Sequence, residues 1–191
     1  MAKVKFDIVS VLEEHGAILS GHFQLPNGFH SQTYIQTSAV LQYPHIAQKI
    51  AKEMAEKFPQ EINVVISSSP ASLALGQEIA RIKKARSIFA ERSNGVTVLK
   101  RDFKINEGEK VLVVDDVFNT GKLCNEAISL ARNFKAKVIG IAAIVDRSDG
   151  EPSVSVPLRA LISYPLELYH PDNCPMCRQK IPLTVIQSNN R

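Results

Sequence analysis

Short apolar segments alternate with amphipathic segments along most of the chain, and this alternation is the feature that most constrains the fold. Apolar side chains recur at helical spacing over residues 44–58, 70–82 and 123–134. The segments INVVISS, RSIFAE, KVLVV, VIGIAAIV and RALISY are short and apolar, as buried strands are. Strands that alternate with helices form a parallel sheet whose two faces are covered. We therefore predict an α/β fold with a mainly parallel sheet flanked by helices.

The length of 191 residues suits a single domain with a sizeable core. Residues 1–43 lie outside the alternation and contain a Pro-Asn-Gly turn between strand-like pieces, so we expect a small N-terminal hood over the sheet. The core of the domain would then span residues 44–165. Residues 166–191 would form an irregular tail that carries a Cys-x-x-Cys pair.

Composition limits the binding partners and the cellular compartment that we expect for this chain. The net charge of +4 suits an anionic substrate, but it is too small and too evenly spread to argue for nucleic acid. The chain has no apolar run of membrane-spanning length, and its start lacks a signal-peptide core. Three cysteines, an odd number, do not make a disulfide framework. We therefore expect a protein of the reducing cytoplasm that does not enter a membrane.

The stretch VLVVDDVFNTGKL, residues 111–123, joins an apolar strand to two acids and a small polar turn. The turn Asn119-Thr120-Gly121 leads into a helix, and backbone N–H groups at a helix start form a site for phosphate. Asp115 and Asp116 would repel phosphate, so we expect them to face vicinal sugar hydroxyls, or Mg²⁺ through water. The stretch therefore indicates a ribose-phosphate site. A solvated turn after an acid pair explains the same residues, and this alternative stays open.

The tail contains candidate metal ligands. His170, Cys174 and Cys177 could supply three zinc ligands from one loop, with a fourth from Asp172 or from a neighbouring subunit. A reduced pair or a labile disulfide in a tight turn explains the same cysteines. Both interpretations remain open from the sequence. For His22 and His30 of the hood we expect local structural hydrogen bonds, and contact with a substrate is the alternative.

Several segments together resemble the type I phosphoribosyltransferases, and among them the orotate phosphoribosyltransferases. VLVVDDVFNTG resembles the signature for phosphoribosyl diphosphate (PRPP), and GHFQLPNGFHSQTYIQ resembles the hood segment of the orotate enzymes. SSSPASLALGQEIAR occupies the place of the diphosphate loop, with serines where the family prefers glycines, and IVDRSDG that of an element contacting the base. The tail YHPDNCPMCRQKIPLTV resembles the Cys-Pro-x-Cys ending of one bacterial branch. The resemblance covers nearly the whole chain in the same order.

The resemblance implies transfer of a 5-phosphoribosyl group from PRPP to a nitrogen of orotate, with release of diphosphate, in pyrimidine nucleotide biosynthesis. Asp115 and Asp116 would bind the ribose hydroxyls, Tyr34 would pack on the base, and Arg147 would face the orotate carboxylate. The residues implied around the 5-phosphate are Val117, Phe118, Asn119, Thr120 and Gly121, with Lys122 beside them.

The resemblance also implies how the leaving diphosphate is bound. The diphosphate loop contributes Ser69 and Ala71, and Mg²⁺ carried with PRPP would supply positive charge, together with Arg92, Lys100 or Arg101. Family members are usually homodimers with sites near the interface, so we expect a homodimer. Transfer to another base, or a non-catalytic relative that binds PRPP or a nucleotide, are the alternatives.

Overall fold

The computed structural model describes residues 6–93, 96–148 and 152–186. The strands are β1 (Ile18–Gln24), β2 (His30–Ile35), β3 (Val64–Ser67), β4 (Arg86–Phe89), β5 (Glu91–Ser93), β6 (Val96–Val98), β7 (Lys110–Phe118), β8 (Lys137–Asp146), β9 (Leu158–Ser163) and β10 (Thr184–Val185). The helices are α1 (Ile8–Glu14), α2 (Ser38–Leu41), α3 (Pro44–Glu56), α4 (Leu73–Lys83), α5 (Lys122–Asn133) and α6 (Pro175–Arg178).

A five-stranded sheet in the order β4-β3-β7-β8-β9 forms the centre of the molecule, and every neighbouring pair in it is parallel. The five strands correspond to the five apolar segments of the sequence. Helices α3 and α4 pack on one face of this sheet, and α5 packs on the other face. The predicted α/β fold with a parallel sheet flanked by helices is therefore confirmed.

Strand β7 is longer than the KVLVV segment suggested, because β8 continues beside it. Val117 pairs with Val145 and Phe118 with Asp146, whereas the neighbour on the other side, β3, ends where its Ser67 pairs with Val114. Asp115 and Asp116 therefore lie inside the strand but beyond the end of β3. This step at the carboxyl edge of the sheet leaves room for the loop that follows β3.

A second, smaller sheet contains the two strands of the predicted hood. Strands β1 and β2 are antiparallel, and β10 adds to β1 as a parallel third strand, with Phe23 opposite Thr184. The tail is thus less irregular than expected, since it also contains a 3-10 turn (Pro171–Asn173) and α6. The division into hood, core and tail stays a prediction.

Among the helices that the structure describes, none has both the length and the apolar character that crossing a membrane requires.

Candidate active site

The two acids of β7 point to opposite faces of the sheet, because successive side chains of a strand alternate. Asp115 is only 8% exposed, and one of its oxygens lies 3.5 Å from the sulfur of Cys124 on α5. Asp116 is half-buried on the hood side, where it accepts a hydrogen bond of 2.5 Å from the hydroxyl of Thr37. The Ser69 hydroxyl lies within 3.4 Å of an oxygen of each acid. The pair therefore forms a cluster of oxygen atoms between the hood, the β3 loop and α5.

Burial and mutual repulsion make the acid pair electrostatically unusual. Loss of solvent and the neighbouring charge of Asp116 raise the pKa of Asp115 from 3.8 to about 7. Burial, followed by the negative charge of Asp115, also raises the pKa of the Cys124 thiol. Cys124 is therefore a neutral core side chain. A ligand that hydrogen-bonds to the ionised pair would offset the repulsion within it.

The loop after β3 is closed by Ser72, which is fully buried. Its hydroxyl donates to the carbonyl of Ser69 at 2.8 Å and accepts the Ser69 N–H at 3.2 Å. Ala71 is exposed on this loop. Ser72 therefore fixes the loop next to the acids.

The turn after β7 is built around Gly121. Its φ of +72° is left-handed, and a Cβ there would lie 2.7 Å from the ring of Phe118. Asn119, Thr120 and Lys122 are exposed, and α5 begins at Lys122. The first N–H groups of a helix have no carbonyl partner within it, so this turn and helix start can bind an anion.

Val117 and Phe118 belong to the strand rather than to the turn. The Phe118 ring is fully buried, and its carbonyl accepts the N–H of Arg147 at 2.8 Å. Asn119 and Thr120 are therefore the exposed residues of the predicted phosphate site, whereas Gly121 is buried and Val117 and Phe118 lie in the strand that leads into the turn.

Tyr34 and Arg147 lie on the Asp116 side of the acid pair. Burial and the charge of Asp116 raise the pKa of the Tyr34 hydroxyl, and the charge of Arg147 opposes this shift. Burial lowers the pKa of Arg147. Its Nε is buried and has no hydrogen-bond partner among the residues that the structure describes. Because buried donors are normally satisfied, this guanidinium is suited to a ligand placed between the hood and the sheet.

Two of the three basic residues predicted at the diphosphate are paired with acids in this chain. Arg92 donates to Glu126 at 2.6 Å, and Arg101 donates to Glu91 at 2.7 Å with its guanidinium over the ring of Phe89. Lys100 is exposed. The contact of these three side chains with diphosphate stays a prediction.

The structure changes the set of candidate metal ligands. Cys174 and Cys177 lie beside His22 and His30 of the hood, and the ligand atoms of these four residues are within 4.8 Å of one another. His170 is exposed and lies 3.3 Å from Asp172, so its assignment as a third ligand is corrected.

Sequence reasoning missed Thr37 and the role of the two hood histidines. Thr37 stands at the end of the hood segment, but only its contact with Asp116 reveals a role in the site. For His22 and His30 the sequence predicts no more than local structural hydrogen bonds or contact with a substrate. No local pattern connects them with cysteines about 150 residues away.

Comparison with known proteins places the chain among its relatives. Residues 36–161 match the model of the phosphoribosyl transferase domain. The orotate phosphoribosyltransferase of Caldicellulosiruptor saccharolyticus is 44% identical over 176 residues, 92% of each chain. That of Thermotoga maritima is 38% identical over 176 residues, which cover 92% of this chain and 94% of the relative. The crystal structure of orotate phosphoribosyltransferase from Aeropyrum pernix superposes with a TM-score of 0.70 at 25% identity, covering 82% of this chain and 93% of that one.

Proposed function

Because the chain belongs to the orotate phosphoribosyltransferases of the phosphoribosyl transferase family, we propose that it transfers the 5-phosphoribosyl group of PRPP to orotate. The bond from ribose C1 to the diphosphate oxygen breaks, and a bond from C1 to a ring nitrogen of orotate forms as that nitrogen loses its proton. The products are orotidine 5′-phosphate and diphosphate, as pyrimidine nucleotide biosynthesis requires.

The observation that carries the proposal is the position of Arg147. Its buried Nε lacks a hydrogen-bond partner among the described residues. The charge of Arg147 lowers the pKa of the Tyr34 hydroxyl, whereas the charge of Asp116 raises it, so all three side chains lie near one another. A planar guanidinium binds a carboxylate through two parallel hydrogen bonds. We assign the orotate carboxylate to Arg147 and the face of the base to Tyr34, so that the reacting nitrogen lies towards the acid pair.

The ribose and its phosphate are assigned to β7 and the turn beyond it. Asp115 and Asp116 would accept hydrogen bonds from the two ribose hydroxyls, and Thr37 would hold Asp116 in place from the hood side. The N–H groups of residues 119–121 and of the first turn of α5 would bind the 5-phosphate, with Lys122 adding charge. A transition state of ribosyl-cation character needs placement and charge stabilisation rather than a protein nucleophile.

The diphosphate is assigned to the loop that carries Ser69 and Ala71. The donor set beside it, the Ser69 hydroxyl with the carboxylates of Asp115 and Asp116, consists of oxygen atoms and fits Mg²⁺. Bound with PRPP, Mg²⁺ would neutralise charge that develops on the leaving diphosphate. Ser69 would orient the acids, and the loop closed by Ser72 would hold the diphosphate.

Two further expectations belong to this proposal: a homodimer, and a cytoplasmic location. Arg92, Lys100 or Arg101 would then reach the diphosphate from the same or the partner subunit. Mixing an Arg101→Ala variant with an Asp116→Asn variant would test whether Arg101 reaches the diphosphate bound in the partner subunit. Recovery of activity in the mixture would place Arg101 in the partner's site.

Turnover is tested with PRPP, Mg²⁺ and orotate by the loss of orotate absorbance, and binding by calorimetry of PRPP with and without orotate. Loss of absorbance with release of diphosphate supports the proposal. Turnover with a different base alone would change the substrate, and PRPP binding without turnover of any base would favour the non-catalytic alternative.

Two matched pairs of variants test the assigned roles. Asp116→Asn should weaken PRPP binding, whereas Asp172→Asn, an exposed acid of the tail, should not. Arg147→Lys should weaken orotate binding by about tenfold or more because a lysine cannot form the bidentate pair. Arg132→Lys on the exposed side of α5 is its control. Equal losses of PRPP and orotate affinity in Arg147→Lys would contradict a role at the base.

A further inference from the structure

Four side chains with metal-binding atoms converge where the tail meets the hood. His22 lies on β1, His30 is the first residue of β2, Cys174 precedes α6 and Cys177 lies within it. The first three are at most 3% exposed, and Cys177 is exposed at the surface. We propose that His22, His30, Cys174 and Cys177 form a structural zinc site that fixes the tail to the hood.

Three sulfur–nitrogen distances among the four ligand atoms suit tetrahedral zinc, and all four atoms lie within 4.8 Å of one another. With Zn–S bonds of about 2.3 Å and Zn–N bonds of about 2.0–2.1 Å, the sulfur–nitrogen edge of a tetrahedron is about 3.5–3.6 Å. The sulfurs of Cys174 and Cys177 lie 3.6 and 3.7 Å from His22 Nε2, and Cys177 Sγ lies 3.4 Å from His30 Nδ1. The two imidazole nitrogens are 2.9 Å apart, and zinc would separate them by about 0.4 Å.

Hydrogen bonding alone does not account for this cluster. His22 Nδ1 lies 2.8 Å from the carbonyl oxygen of Ile181, which can only accept, so the proton is on Nδ1 and Nε2 carries a lone pair. Three groups, His30 Nδ1 and the two thiols, approach that one lone pair. A cation at the centre uses a lone pair from each of the four atoms at once. The hydrogen bond from His22 Nδ1 to the Ile181 carbonyl would then orient the imidazole ring of His22, as the outer hydrogen bonds of zinc-bound histidines do.

The chemistry of the ligands selects zinc among common metals. Two thiolates and two neutral imidazoles balance the charge of Zn²⁺, so the buried site carries no net charge. Sulfur and nitrogen ligands are unsuited to Mg²⁺ or Ca²⁺. A Rieske [2Fe–2S] centre also takes two cysteines and two histidines, but there the histidines bind one iron and the cysteines bind the other. Here Cys177 Sγ lies 3.7 Å from His22 Nε2 and 3.4 Å from His30 Nδ1, as ligands around a single ion do. All four positions are taken by protein side chains, which is typical of a structural rather than a catalytic zinc.

The site would join two segments far apart in the chain. The tail already contacts the hood through the pairing of His30 with Tyr169 and of β1 with β10. These contacts involve few residues, since β10 contains only two residues and the pairing of His30 with Tyr169 is an isolated bridge. Zinc binding supplies folding free energy to small elements of this kind. Because Tyr34 lies on the same strand as His30, the metal would also stabilise the strand that we assign to the base.

A disulfide between Cys174 and Cys177 is the main competing state. It would use both sulfurs and leave the two histidines without metal. Intact mass under non-reducing, denaturing conditions separates the states, because a disulfide makes the chain lighter by two hydrogens.

The test is metal analysis of the full-length protein purified without a metal-affinity tag. We expect about one zinc per chain. A thiol-specific mercurial should release it, as measured with a chromogenic chelator. Replacement by Co²⁺ should give thiolate-to-cobalt charge-transfer absorption and the intense visible bands of a tetrahedral site. Less than about a tenth of an equivalent of zinc, together with no such cobalt spectrum, would overturn the proposal, and so would a disulfide or another metal at full occupancy.

Variants of the proposed ligands test whether the zinc is bound by these side chains. Cys177→Ser is chosen because Cys177 is exposed, so its replacement perturbs packing least, and His22→Gln tests the hood. Each should lose most of the zinc and the cobalt charge-transfer band, whereas His170→Gln should retain both. Full zinc content in Cys177→Ser and His22→Gln would contradict the assignment. If a variant fails to fold, the release and cobalt experiments on the wild-type protein still decide.

Discussion

Replacement of Gly121 by alanine tests whether the turn after β7 depends on backbone geometry. The residue has a φ of +72°, and an alanine in the left-handed region costs about 1–2 kcal/mol. Its Cβ would lie 2.7 Å from Phe118 Cζ and 3.0 Å from Val154 Cγ1. Phe118 is fully buried, and the half-buried Val154 packs against the same core cluster, so the Phe118 ring cannot move aside freely. Overpacking of this kind costs about 1–3 kcal/mol.

Gly108→Ala is the matched control because Gly108 has a φ of +80° but nothing within 4 Å of the added Cβ. It should cost only the conformational term of about 1–2 kcal/mol, against about 2–5 kcal/mol for Gly121→Ala. For a chain of this length, a loss of about 3 kcal/mol lowers the melting temperature by about 6–12 °C.

The assay is equilibrium unfolding in urea, followed by calorimetric titration with PRPP. Gly121→Ala should lose more unfolding free energy than Gly108→Ala and should also bind PRPP more weakly, because the turn assigned to the phosphate must shift. The reasoning is refuted if both variants lose the same free energy and bind PRPP equally well.

Three further outcomes are expected from changes around the site. Thr37→Val removes a buried hydrogen bond to the Asp116 carboxylate and should lower the free energy of unfolding in urea by about 1.5–3 kcal/mol. Thr37→Ser keeps the hydroxyl and should stay closer to wild type. Equal losses of unfolding free energy in the two variants would contradict the role of this hydrogen bond. The raised pKa of Asp115 favours its protonated form in the folded state, so the contribution of this group to stability should fall as pH rises from about 4 to about 7. Asp115→Asn removes this dependence, so the stability of the variant relative to wild type should rise over that pH range. Parallel curves of unfolding free energy against pH for the two proteins would contradict the raised pKa of Asp115. Gly76→Ala should destabilise despite the better helix propensity of alanine, since its Cβ would lie 2.2 Å from Ser67 Oγ, and a Ser67→Ala background should recover part of the loss.

Local pattern was enough to predict the central sheet and its helices. The stripe of Ile46, Ile50 and Met54 is buried on α3, as its spacing indicated. The apolar segments pair as parallel strands, since a βαβ chain has few other ways to bury them. The same reasoning located the acid pair and the turn after it, because both are consecutive in the chain.

Contacts between distant segments could not be predicted in this way. Thr37 and Asp116 are 79 residues apart, and nothing near either residue indicates the other. The sequence paired Cys174 and Cys177 with the adjacent His170, whereas the fold brings His22 and His30 to them. Adjacency in the chain was misleading there because the tail pairs with β1 and turns its cysteines towards the hood.

The sequence by itself therefore determined the α/β core, the family and the sugar-phosphate stretch, since these depend on periodicity and on neighbouring residues. The tertiary structure alone decided which faces the two acids occupy, which donor on Arg147 is left for a ligand, and which four atoms meet at the hood. The physical reason is that burial, pKa and metal geometry depend on groups that only the folded chain brings within a few ångströms of one another.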